Sequence, residues 1–148
     1  MTSGENATTI STVAVGTDGS QTADRAIDEA AEIAKRFGAR LVLLGAFSDS
    51  APDAAGADDV ELQWKWRPYA RMKTNLERCK SALRDGGIEC ETRMEEGDPA
   101  EVLVQLARDC DADLLVIGNK GMHRRVLGSV PNTVTHRAEC SVLVVKTT

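Results

Sequence analysis

The sequence predicts an α/β fold: one domain built on a doubly wound sheet of five parallel strands in the order 3-2-1-4-5, with helices on both faces. Three observations carry that expectation. Short apolar runs alternate along the chain with stretches of helical periodicity, giving β-α-β-α-β-α-β-α-β. Most of these runs are continuously apolar, as strands covered on both faces of a parallel sheet are. The first and fourth runs each end in a glycine-bearing turn, and in such sheets the ligand crevice lies at the carboxyl ends of the strands where the winding reverses.

Met1 to Ser11 is polar and is expected to be a loose tail, leaving 12–148 as the folded domain. Thr12 to Gly16 reads as a buried first strand, closed by Thr17-Asp18-Gly19-Ser20. Ser20 suits the N-cap of a first helix whose apolar positions Ala23, Ala26, Ile27, Ala30, Ala34 and Phe37 share one face, with Gly38 ending it. Leu41-Val42-Leu43-Leu44 is the core of the second strand, and strand, helix and strand make a βαβ unit. Ser48 to Asp59 carries only acidic charge and breaks the pattern, either as a surface loop or as a lid over a ligand. Trp64 and Trp66 follow, fit to pack under that loop or to stack on a base. Pro68 suits the first turn of a second helix with Tyr69, Met72, Leu76, Cys79 and Leu83 on its apolar face and Gly86-Gly87 at its end.

Ile88, Cys90, Thr92 and Met94 alternate with Glu89, Glu91, Arg93 and Glu95, which marks a half-exposed edge strand. Asp98-Pro99-Ala100-Glu101 combines an N-cap, an N1 proline and an N3 glutamate, a capping device rather than an acidic catalytic pair, ahead of Leu103, Leu106, Ala107 and Cys110. Asp113 to Ile117 is the fourth strand, Ser129 to about Ala138 a short helix, and Val142-Leu143-Val144-Val145 the fifth strand. That last strand falls at an edge of the sheet, yet lacks the charges that protect an edge. Pairing with the same strand of a second chain would cover it in a two-fold homodimer; the alternative is shielding by the C-terminal residues or a helix.

A formal charge of −5 and a pI near 5.1 argue against a nucleic-acid partner, which a local basic patch alone would have to hold. No apolar run reaches membrane-spanning length and Met1 to Ser11 does not read as an export signal, so a cytoplasmic protein with no membrane partner is expected. Cys79, Cys90, Cys110 and Cys140 have neither Cys-x-x-Cys nor metal-ligand spacing and read as buried reduced thiols, with redox sensing as the minority reading. No metal site is expected.

The chemistry concentrates in Val116-Ile117-Gly118-Asn119-Lys120-Gly121 and, after six residues, Gly128-Ser129-Val130-Pro131. An apolar strand running into a glycine loop and a Ser-capped helix start is the layout of an anion site. The amides of Gly128, Ser129, Val130 and Asn132 are expected to point at a phosphate together with the positive end of the helix dipole. Lys120, His123, Arg124 and Arg125 put cationic groups on the loop; an ordinary strand-to-helix turn with a solvated basic tip is the plain alternative. Asp18, at the tip of the first strand, is placed to accept from ribose hydroxyls or, equally, to close an Asx-turn.

These stretches, with Val13 to Ser20 and Cys140 to Lys146, resemble the universal stress protein family over nearly the whole chain. The resemblance implies a regulatory protein that binds an adenine nucleotide and dimerises through Val142, Leu143, Val144 and Val145. By position, adenine and ribose lie against Gly16, Thr17, Asp18, Ala46, Ile117 and Gly118, and the phosphates against Gly121, Gly128, Ser129 and Val130. ATP, with or without Mg, is the expected ligand, with AMP or cyclic AMP as alternatives. The family's ATP loop is longer between its second and third glycines, whereas Met122 to Leu127 supplies six residues, so the phosphate path is shorter or differently routed. His123, Arg124 and Arg125 either offset the lost donors or form a solvated tip.

No catalytic residues are assigned. A slow ATPase or autophosphorylating enzyme is the enzymatic alternative, but no Walker A Lys-Ser or Lys-Thr pair follows the glycines. A flavodoxin-like carrier would want ring-flanking aromatics, and aromatics make up only 3% of this chain. The Ser-Gly-Gly-x-Asp-Ser loop of PP-loop synthetases is absent. A dimeric scaffold with a vestigial site is the non-binding alternative.

Overall fold

The computed structural model describes residues 9–48, 67–119 and 127–146. They form β1 (Thr12–Thr17), α1 (Gln21–Phe37), β2 (Arg40–Phe47), α2 (Pro68–Asp85), β3 (Glu91–Glu96), α3 (Pro99–Asp109), β4 (Leu114–Asn119), α4 (Ser129–Arg137) and β5 (Ser141–Lys146). All strand pairs are parallel and the sheet order is β3-β2-β1-β4-β5, as expected. The expected loop or lid and the Trp64–Trp66 pair lie outside the described residues.

Alternation along the buried strands divides the core in two. Val13 and Val15 of β1, Leu41 and Leu43 of β2 and Val116 of β4 pack with α1 and α2. Ala14, Val42, Leu44, Leu115 and Ile117 pack on the other face with α3 and α4. Helices therefore change faces after β3, and β1 and β4, paired at Val13↔Leu114 through Val15↔Val116, flank the point of reversal.

Local chemistry sets the element ends. Ser20 caps α1, its side chain accepting from the Ala23 N–H, and Gly38 ends the helix at φ 64°, a left-handed position that glycine takes without Cβ strain. Asp98 caps α3, accepting from the Glu101 N–H at 3.2 Å, with Pro99 in the first turn.

Several expected details differ. Phe37 is 58% exposed, and Tyr69 leaves the α2 core face to set its ring edge-on to Phe47 at 5.4 Å. Asp113 precedes β4 rather than starting it; its Oδ2 accepts from the N–H groups of Ser11 and Thr12 at 2.8 and 2.9 Å, fixing β4 beside β1. Ile10 packs against the core, so the end of the expected tail is tied in.

Candidate functional site

In a parallel sheet each crossover helix begins at the end where its preceding strand stops, so the starts of α1, α3 and α4 gather at the carboxyl ends of the strands. There the structure encloses a cleft of about 420 Å³. Gly16, Thr17, Asp18, Ala46, Ile117, Gly118, Gly128, Ser129 and Val130 line it, nine of the ten expected site residues. The tenth, Gly121, lies outside the described residues, as do Lys120, His123, Arg124 and Arg125. Ser20, Ala23, Pro99, Leu103 and Pro131 complete the lining and were not expected from the sequence. A signal for them existed: all five stand in or beside the first turn of a helix that follows a strand.

Gly16 stands in close contact with α3. A Cβ built there would lie 2.9 Å from Leu103 Cδ1, so any side chain at this position would push the tip of Leu103 aside. Leu103, Ala46 and Ile117 give the cleft an apolar wall, which suits a flat ring.

The β1 turn is knitted from its own polar groups. Thr17 Oγ1 accepts from the Gly19 N–H at 3.1 Å and from Asn75 Nδ2 at 3.5 Å. Asp18 Oδ1 accepts from the Ser20 N–H at 2.9 Å and from Ser20 Oγ at 2.6 Å, while Ser20 Oγ accepts from the Ala23 N–H at 3.2 Å. Asp18 thus closes the Asx-turn that launches α1, one of its two expected roles, and its exposed carboxylate borders the cleft.

The start of α4 corrects the expected anion site. The N-cap is Gly128, at φ −62° and ψ 168°, and Ser129 is the first helical residue. Two of the four expected amides are already committed: the Gly128 N–H donates to Asn119 Oδ1 at 3.1 Å, and the Asn132 N–H to the Gly128 carbonyl at 3.0 Å. The last follows from helix geometry, because the fifth residue from the cap is the first with a carbonyl four residues behind it. Pro131 has no N–H. Ser129 and Val130 are left as the first-turn amides without an intrahelical acceptor, at the positive end of the dipole. Asn119, fully buried at the end of β4, is the acceptor that holds the Gly128 N–H, a contact that sequence reasoning missed.

Burial pushes the thiols of Cys79, Cys90, Cys110 and Cys140 up, and none of them lines the cleft. Among the described residues no cluster of three His, Cys, Asp or Glu side chains could hold a metal ion, and no helix is long and apolar enough to cross a membrane.

Comparison with known proteins agrees with this architecture. The family model for the universal stress protein family matches residues 9–146. The universal stress protein Rv1636 of Mycobacterium tuberculosis is 40% identical over 142 residues, spanning 93% of this chain and 97% of that protein. A crystal structure of a universal stress protein in complex with cAMP aligns with TM-score 0.68 at 37% identity, covering 95% of this chain and 99% of that one. The universal stress protein UspA from Lactobacillus plantarum aligns with TM-score 0.75 at 28% identity over 95% of this chain and 99% of that one. With the sheet order, the cleft and a family match that runs from before β1 to the end of β5, the chain belongs to the universal stress protein family.

Proposed function

We propose that this protein is a cytoplasmic stress-response regulator that binds an adenine nucleotide in the cleft at the carboxyl ends of β1 and β4. The observation that carries the reading is the meeting, in one cleft, of an apolar wall with two first-turn amides free of intrahelical partners. Adenine and ribose lie against Gly16, Thr17, Asp18, Ala46, Ile117 and Gly118. The phosphate takes the amides of Ser129 and Val130 and the Ser129 hydroxyl, with Gly121 and Gly128 allowing close approach. The relative crystallised with cAMP, at 37% identity, supports this choice of ligand.

Two amides and one hydroxyl on the helix side match a single phosphate group, as in AMP or cyclic AMP, better than the ATP expected from the sequence. The protein acts as a homodimer through β5: Val142, Leu143 and Val144 are only half-buried on this edge strand, and two-fold strand pairing covers them. Ligand occupancy is read out through that dimer or its partners rather than through turnover.

Calorimetric titration with cyclic AMP, AMP and ATP tests the reading. Saturable binding is expected, with Ser129→Ala weakening cyclic AMP by about tenfold, the scale of a lost hydrogen bond to a charged group, and leaving adenosine unchanged. A folded protein, free of co-purified nucleotide, that gives no saturable heat with any of them would favour the scaffold alternative.

A further inference from the structure

We propose that Asn119 sets how many phosphate groups the cleft accepts, by holding the Gly128 amide away from the ligand; the inference rests on the nucleotide reading above. Asn119 is the last residue of β4 and is 0% exposed. Its Oδ1 accepts the Gly128 N–H at 3.1 Å across nine positions of sequence. This one bond joins the end of β4 to the N-cap of α4, so it fixes where the helix begins.

It also removes a donor. A helix start offers the cap amide and the first three helical amides to an anion. Here Pro131 contributes none, and Asn119 has taken the cap amide. The helix end of the cleft is thereby reduced to Ser129 and Val130, a set sized for one phosphate group. To recruit Gly128 for a second phosphate, a ligand would have to break its bond to the oxygen of a fully buried side chain. Asn119 is a positioning residue in this account: it acts on the ligand through Gly128.

The test is the ratio of ATP to AMP affinity, because a merely structural role would change both alike. Asn119→Ala frees the Gly128 amide and is expected to raise the ATP-to-AMP affinity ratio about tenfold, the worth of one added hydrogen bond to a charged phosphate. Asn119→Asp keeps an acceptor for Gly128 and is expected to leave the ratio at or below that of the unsubstituted protein. Equal changes for both nucleotides in Asn119→Ala would overturn the inference.

A second measurement needs no variant. In the unsubstituted protein the Gly128 amide is expected to be protected from hydrogen exchange, with its NMR shift little moved when AMP or ATP binds. A large phosphate-induced shift at Gly128 would show that the ligand displaces Asn119 and would overturn the inference. A protein that binds neither nucleotide defeats this inference and the nucleotide reading together, whereas binding with an unaltered ratio in Asn119→Ala defeats this inference alone.

Discussion

Gly16 leaves room for Leu103 on the wall of the cleft. A larger residue there would drive into Leu103, whose Cδ1 would lie 2.9 Å from the new Cβ. Gly16→Val is expected to lower unfolding stability by about 1–3 kcal/mol, the usual cost of overpacking, and to weaken nucleotide binding as Leu103 is displaced into the cleft. Urea unfolding and calorimetry check the two effects separately. The buried thiols make a second residue-scale prediction. Burial pushes the pKa of the Cys79, Cys90, Cys110 and Cys140 thiols above the ordinary value, so they hold their protons more tightly in the folded chain. Above about pH 8.5 the unfolded chain therefore releases thiol protons that the folded chain keeps. Their contribution is complete below that pH and is lost as pH rises through the folded values, so the urea midpoint should fall between pH 8 and pH 10, and fall less in Cys110→Ala. Nine of the ten residues expected at the site line the cleft, and each stands at or beside the carboxyl end of a strand or the start of α4, a placement that local sequence signals convey. The Asn119 bond was not legible, because its partner stands nine residues away in the sequence.

At the scale of elements, the buried strands were legible as continuous apolar runs and β3 as an alternating, charged edge. Helix faces were legible with one systematic error. Periodicity gives direction around a helix axis but not whether anything lies opposite, so Phe37 and Tyr69 were assigned inward and stand 58% and 41% exposed. Caps were read correctly where a side chain makes the bond, as at Ser20 and Asp98, and one residue late at α4, where the cap is a glycine without a side-chain bond. Asp98→Ala should cost about 1 kcal/mol of stability, the usual worth of an N-cap. The same variant should loosen the start of α3, which carries Pro99 and Leu103 into the cleft; hydrogen exchange at Glu101, whose amide Asp98 accepts, reports it directly. Unchanged protection at Glu101 would contradict that account.

For the whole molecule, the alternation of strands and helices with the rules for parallel crossovers implies a doubly wound sheet and leaves few arrangements, of which the expected β3-β2-β1-β4-β5 is the one observed. Parallel crossovers also bring the end of β1, the end of β4 and the start of α4, distant in sequence, to one cleft. Which strand edge faces a partner is a separate matter, since it depends on a second chain. The proposed homodimer predicts that Val144→Arg, placing a charge on the half-buried β5 edge, shifts the mass in light scattering from dimer to monomer while the circular dichroism spectrum is kept. A monomeric unsubstituted protein would remove the dimer from the account.

The claim on which the rest depends is that phosphate binds at the first turn of α4. An amide NMR titration with cyclic AMP tests it most directly. The largest saturable shifts are predicted at Ser129 and Val130, with smaller ones at Gly16, Thr17 and Asp18 as adenine and ribose settle against β1. Saturable shifts that leave Ser129 and Val130 unmoved would contradict it.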